Sequence, residues 1–348
     1  MNELDDRKPA IKSLGPGKRK LISVSPESMV KAEPLFPGRR LPLLITPSGG
    51  SIDLPGWAAH NKNYIDERLS EHGGLLFRHF GVPTTDEFER FIAAVSGEAL
   101  EYSERSSPRS RVTDSNIYTS TDYPSRQSIF VHNENSYKRN FNQKIFFFCE
   151  TPSREGGETP IADCRNVYRR IPADVLQRFV EKKWMYVRNY GDGFGLDWQT
   201  AFQTTDRQAV AEHAERNGIE IEWRADGRLR TYATLPAVIN HPRTGEPSWF
   251  NHAAFFHIST LDPTLREGLL AGFESEDDLP TNTYYGDGSP IEPETLEQLR
   301  DAYRRETVSF LWQRGDILML DNILAAHGRA PYEGTRRILV AMTELLNR

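Results

Sequence analysis

Cysteine is scarce: Cys149 and Cys164 are the only two in 348 residues, and they follow no metal-binding or redox spacing. That excludes a disulfide scaffold and fits packed thiols in a reducing cytoplasm, where this chain is expected. No apolar run approaches the ~18 residues that a membrane-spanning helix needs, and the polar start Met1–Lys20 has no apolar stretch of secretory type. A surplus of one charge is missing too: 43 basic residues stand against 49 acidic, a net charge of −6. Such a balance has no general attraction to phosphate backbones, so nucleic acid is not an expected partner. Regular strand–helix alternation is absent, which argues against a doubly wound parallel sheet, and there is no internal repeat. The Gly-rich stretches "GDGFG" and "YYGDGSP" match no nucleotide-phosphate pattern and read as turns.

What is present is enough apolar residue, 38%, for a sizeable core. Residues 1–34 differ from the rest, rich in Pro, Gly, Ser and Lys/Arg, with six cations and no acid from Arg7 to Lys20. They read as a loosely ordered basic extension, and residues 35–348 as a single domain. Within it, Leu54, Trp57, Tyr64, Ile65 and Leu69 keep helical spacing up to Gly73. "LLFRHF" follows as a buried strand, and Thr84 with Glu87 offers a capping box to a helix bearing Phe88, Phe91, Ile92 and Val95. Beyond residue 127 come short strands: "SIFVH", "KIFFFCE", "TPIAD", "WMYVRNY", "IEIEW", "TVSFLW", "DILML" and "RRILVAM". A hairpin is expected around Thr244-Gly245, with helices at 172–182, 206–217 and 293–306. The pattern is mainly β with helical insertions, a sandwich or barrel-like domain.

Among nine histidines, His132 in "FVHNENSY" is informative. On a strand, His132 and Glu134 would project to one face, giving an imidazole and a carboxylate side by side. A second imidazole would complete the 2-His-1-carboxylate face of non-haem Fe(II) oxygenases. "GDILMLDNILAAHGRAPYEGTRRILVAM" offers His327 on a short connection between two strands, far downstream, so only a non-local sheet pairing can join the two segments.

Taken together, "HNENSY", "GGETPIAD", "WFNHAAFFH" and "LDNILAAHGRAPYEGTRRILV", in this order, resemble the taurine dioxygenase (TauD/TfdA-like) family of Fe(II)/2-oxoglutarate-dependent oxygenases. The likeness is nearest to syringomycin-pathway and clavaminate-synthase-like amino-acid hydroxylases. It implies a double-stranded β-helix, the jelly-roll or cupin-like core. It also implies Fe(II) held by His132, Glu134 and His327, with 2-oxoglutarate and O2 as co-substrates. Thr159 matches the residue that hydrogen-bonds the distal carboxylate of 2-oxoglutarate, and Arg337 the arginine that pairs with it; Arg336 competes, since strand alternation lets only one face inward. Tyr137, Asn251, His252 and Arg329 are candidates for the substrate side; for Arg329 bracing the ligand segment is an equal alternative. Glu134 argues against halogenation, and Ala341, where sulfonate-specific members carry a further arginine, against taurine.

The implied reaction is hydroxylation of an unactivated C–H bond of an amino acid or derivative in natural-product (antibiotic) biosynthesis. The substrate would be free or tethered to a carrier protein, and the reaction would release succinate and CO2. Desaturation or ring closure at the same iron is the nearest alternative. A Zn- or Mn-dependent cupin-like hydrolase or isomerase stands behind it.

Overall fold

The computed structural model describes residues 26–101, 109–121, 123–191 and 195–348. Most of the basic extension expected at residues 1–34, and the "GDGFG" stretch in part, lie outside the described residues.

Two sheets carry the architecture. Among the described residues the larger has seven strands, in the order Val30–Pro34, Leu43–Pro47, Gly74–Phe77, Ile317–Asp321, Asn140–Thr151, Arg337–Asn347 and Tyr118–Thr119. The smaller has four, in the order Thr307–Val308, Ile161–Asp163, Ala325–Arg329 and Ile129–His132. Neighbours pair antiparallel, except that Leu43–Pro47 runs parallel to Gly74–Phe77.

The period-two alternation of Asn140–Thr151 and Arg337–Asn347 sorts their side chains into two layers. Ile145, Phe147, Ile338, Val340 and Met342 pack inward with Ile161, Ala325 and Trp312 from the small-sheet side. Phe146, Phe148, Leu339 and Ala341 face the opposite way, onto a helical layer of Trp57, Ile65, Leu69, Phe88, Phe91 and Val95. The large sheet is therefore buried on both faces, which explains the unbroken apolar run "IFFF".

The helical layer follows the expected spacing with one difference. The segment read as one helix is two, Leu54–His60 and Lys62–His72. Asn61 breaks it, with its side-chain amide donating to Trp57 O at 2.7 Å, a local bond that competes with continued helix. Gly73, at φ 78, ends the second helix with a left-handed cap. Of the expected capping box the N-cap half forms: Thr84 accepts from the Glu87 backbone N–H.

A second four-stranded sheet holds Trp184–Tyr190 between Thr281–Tyr285 and Leu229–Leu235, with Ile219–Trp223 on the edge. Helices at Ala173–Lys182, Arg207–Asn217 and Pro293–Glu306 stand where the spacing places them. Among the helices that lacked a readable signal are Cys164–Arg170 and Pro263–Gly272, the latter burying none of its residues. No described helix is long and apolar enough to cross a membrane.

Phe88 is fully buried and stacks on Phe148 at 5.1 Å, joining helical layer to sheet. Phe88→Ala should cost about 3–5 kcal/mol by leaving a cavity there, read as a lower urea midpoint with an unchanged m-value.

Candidate metal centre and active site

The small sheet makes the first connection. Ile129–His132 pairs antiparallel with Ala325–Arg329, and His132 and His327 are direct partners in that register. Their ring centroids lie 4.7 Å apart. His327 thus sits on a strand rather than on the expected connection. Its neighbour Gly328 is needed for the approach: a Cβ there would stand 2.6 Å from Ile129 O.

Glu134 arrives differently from the expected i, i+2 alternation. The strand ends at His132, and residues 134–137 form a turn in which Asn135 takes φ 57. Asn322 fixes this turn. Its Oδ1 accepts the Glu134 N–H at 2.7 Å, while its Nδ2 donates to Glu134 O and to Asn142 O, each at 2.8 Å. Asn133 Nδ2 donates back to Asn322 O at 2.6 Å. Asp321, next in line, accepts the Ile323 and Leu324 N–H groups on one oxygen, and its other oxygen meets His241 Nε2 at 2.9 Å. All of these groups are buried, so each unmet bond would carry a full desolvation cost.

The outcome is one cluster: ligand-capable atoms of His132, Glu134 and His327 all lie within 4.8 Å of one another. His132 Nδ1 is 2.8 Å from Phe130 O, so Nδ1 donates and Nε2 keeps its lone pair for a metal. Burial pushes the His132 imidazole down and that of His327 well down, favouring the neutral form. Burial alone would raise Glu134, but the Arg109 guanidinium and His132 outweigh it and hold the carboxyl below its ordinary value. Two neutral imidazoles and one ionised carboxylate are a donor set that fits a first-row divalent metal.

Phe255 lies flat against the His132 ring, 4.5 Å away and tilted by 7°. Beyond it opens a cavity of about 860 Å³ whose lining includes Arg109, His132, Glu134, Tyr137, His252 and Phe255. Tyr137 and His252, candidates for the substrate side, both line it. His252 Nδ1 is held by Ser136 Oγ at 2.5 Å and its ring meets Tyr137 edge-on at 5.2 Å.

Asn251 and Arg337 stand otherwise, and Arg329 takes the bracing side of its two open readings. Asn251 spends its side chain on the backbone, donating to Ala237 O and accepting from Ala253 N–H, and is a structural residue rather than a substrate contact. Arg329 donates to the carbonyls of Tyr123, Pro124 and Gln127 and so braces the loop that edges the cavity. Arg337 points outward, with 46% of its side chain exposed and an ion pair to Glu150 at 2.7 Å. Arg336 is the arginine that turns in, donating to Gly157 O at 2.9 Å and to Ser120 Oγ at 3.3 Å. Burial, then Arg329, lowers its pKa to about 10. Alternation on this strand puts Ile338, Val340 and Met342 inward and Leu339 and Ala341 on the other side, so Arg336 falls on the inner side and Arg337, the residue the resemblance pointed to, on the outer. That same register puts Ala341 against the helical layer, away from the metal centre, so the argument against taurine drawn from it has no geometric basis. Thr159 is buried beside the Arg336 segment, its hydroxyl accepting from Trp312 Nε1 at 3.1 Å.

Sequence reasoning missed Arg109 and Asn322. Arg109 Nη2 lies 2.8 Å from Glu134 Oε2 with both side chains 4% exposed. It follows a polar Ser/Arg/Pro stretch that reads as plain loop. Asn322 was in view within "LDNILAAHGR", but nothing local distinguishes a clamp from a turn asparagine.

The family model "Taurine catabolism dioxygenase TauD, TfdA family" matches residues 34–343. The chain belongs to the TauD/TfdA family. It is 38% identical over 311 residues to the dapdiamide synthesis protein DdaC of Enterobacter agglomerans, covering 89% of this chain and 93% of that one. A clavaminate synthase-like protein of Arabidopsis thaliana is 28% identical over 335 residues, covering 91% and 97%. Among solved structures, PvcB, described as an Fe, alpha-ketoglutarate dependent oxygenase from an isonitrile synthetic pathway, superposes with a TM-score of 0.54 at 15% identity, covering 94% and 96%. A taurine dioxygenase from Burkholderia xenovorans gives 0.52 at 15%, covering 90% and 89%. At that identity the two structures speak for the fold alone. The family membership makes this chain a 2-oxoglutarate-dependent dioxygenase, using Fe(II) with 2-oxoglutarate and O2.

Asn322→Ala should loosen the Glu134 turn and weaken Mn(II) or Fe(II) binding about 10–100-fold, the range for residues that orient a metal ligand. Calorimetric titration of folded protein checks it; unchanged affinity would show that the turn holds itself.

Proposed function

We propose that this dioxygenase hydroxylates an unactivated C–H bond of an amino acid or amino-acid derivative in natural-product biosynthesis. The observation that carries the site is the convergence of His132, Glu134 and His327, the first two of which line one large cavity. The relative DdaC, named for dapdiamide synthesis, supports the biosynthetic setting.

In this reading His132, Glu134 and His327 hold the iron. Iron held there would, together with 2-oxoglutarate and O2, supply the oxidising power, with succinate and CO2 as the products of the co-substrate. The chain's own residues position and shield. The Phe130 carbonyl fixes the His132 tautomer, and the Asn322 clamp aims Glu134. Arg336 takes over from Arg337 as partner of the distal carboxylate of 2-oxoglutarate, beside Thr159. A guanidinium suits that role because its forked donors match two carboxylate oxygens. Phe255, Phe256 and Phe130 wall the cavity with apolar rings, keeping water from the reacting carbon.

The facing sheets, with the metal-binding strands in the smaller one, support a double-stranded β-helix core. The substrate, free or tethered to a carrier protein, enters past the helix Pro263–Gly272, whose Leu265 and Leu269 edge the cavity. The buried free thiols Cys149 and Cys164 suit a cytoplasmic setting.

The test begins with anaerobic addition of Fe(II) and 2-oxoglutarate, following the weak visible charge-transfer band. His132→Ala and Glu134→Ala should each abolish the band and substrate-coupled succinate formation. Retention of both in either variant would remove that residue from the metal. Arg336→Ala should weaken 2-oxoglutarate binding by about 2–5 kcal/mol, as for a buried charge pair losing one member. Arg337→Ala should leave it within error, and the reverse ranking would return the role to Arg337.

A further inference from the structure

Arg109 is a buried cation next to the metal ligands to which no role has yet been given. Its Nη2 donates to Glu134 Oε2 at 2.8 Å, the same oxygen that faces His327 Nε2 at 3.7 Å. The side chain is 4% exposed and lines the cavity together with Glu134, Tyr137 and His252, a lining that includes neither Thr159 nor Arg336. A buried guanidinium is tolerated only with a counter-charge. Without a metal that counter-charge is Glu134; with one, the carboxylate is shared with a divalent cation.

The local charge balance then decides what the cavity should take. Around the metal stand two positive charges from the ion, one from Arg109, and one negative from Glu134, the imidazoles being neutral. The metal-binding end of 2-oxoglutarate adds one negative charge, and its far carboxylate is matched separately by Arg336. One positive charge stays uncompensated in a pocket otherwise walled by Phe130, Phe255 and Phe256. The other charged residues there do not supply the missing anion. Lys138, partly exposed near Glu134, adds to the positive side, and the exposed Arg126 and Asp262 at the rim oppose one another.

We propose that Arg109 anchors a carboxylate of the substrate beside the metal. This rests on the site proposed above and deepens it: the substrate is an acid, and its acidic end lies next to Glu134. Because Arg109 touches the metal carboxylate directly, the anchor and the metal are tied in one rigid unit. A substrate gripped there presents a carbon close to its own carboxylate to the oxidising centre.

The experiment uses the full chain loaded with Mn(II) and N-oxalylglycine, an unreactive stand-in for 2-oxoglutarate. Each common L-amino acid and its carboxamide are titrated calorimetrically into wild type, Arg109→Met and Arg109→Lys. In wild type at least one acid should bind on the order of 30-fold or more tightly than its amide, as for a buried charge pair. Arg109→Met should erase that preference, and Arg109→Lys should keep only part of it, since an ammonium cannot make the forked contact. No preference for any acid in wild type, or an undiminished preference in Arg109→Met, overturns the proposal. Should Arg109→Met no longer take Mn(II), the lysine variant decides, and an undiminished preference there overturns it equally. Mn(II) and N-oxalylglycine binding to wild type reports separately on the metal site: its failure brings down the site itself, whereas its success beside an undiminished preference in the variants removes Arg109 alone.

Discussion

The antiparallel pairing of Ile129–His132 with Ala325–Arg329 is the contact on which the rest of the site depends. It joins two segments far apart in the chain and sets His327 directly opposite His132. Loop closure over that distance costs entropy that a two-strand contact alone does not recover. The large sheet supplies what is missing. Asn140–Thr151, which follows the Glu134 turn, pairs with both Ile317–Asp321 and Arg337–Asn347, which flank the His327 strand in sequence. Both halves of the metal site are thus held by neighbouring strands of one buried sheet, and the imidazole pair inherits the rigidity of that core.

Asn322 shows how a polar group earns its place in such a core. An amide offers both donor and acceptor, so one side chain satisfies the N–H and the C=O of Glu134 together. A hydrophobic residue there would leave those groups unpaired, and a carboxylate would bring a second negative charge beside Glu134. Asp321, with His241 behind it, performs the neighbouring task of turning the chain into the His327 strand. The pair "DN" therefore links the turn that presents the carboxylate to the strand that presents the second imidazole.

How much of this could be read from the sequence follows the range of each interaction. Strands with strong alternation, such as Trp184–Tyr190, and helices with amphipathic spacing, such as Pro293–Glu306, carry their signal locally. The metal trio was legible because residue types and order matched a known family, though its local geometry was not. Glu134 leaves the strand through a turn with positive φ at Asn135, which no i, i+2 rule anticipates. Arg336 and Arg337 are adjacent, and the choice between them depends on which face of the strand meets the small sheet, a tertiary fact that the two residues do not carry themselves. Arg109 carries no sequence signal, because its role exists only where the fold brings it to Glu134.

The two sides of the cavity differ in construction, and the difference bears on function. The candidate ligands and the clamp stand on strands or on a turn, with His132 held through Phe130 O and the Glu134 turn held through Asn322, and such holding matters because small displacements of a metal ligand change affinity and reactivity. The opposite edge is made of the loop braced by Arg329 and of Pro263–Gly272, a helix that buries none of its residues. Of the two, the helix has few buried contacts to lose and so the lower local stability, while the loop is pinned by Arg329. A hard inner wall fixes where oxidation happens. The rim, with its Pro263–Gly272 helix, is where the cavity opens, so its residues are the first that any incoming molecule meets.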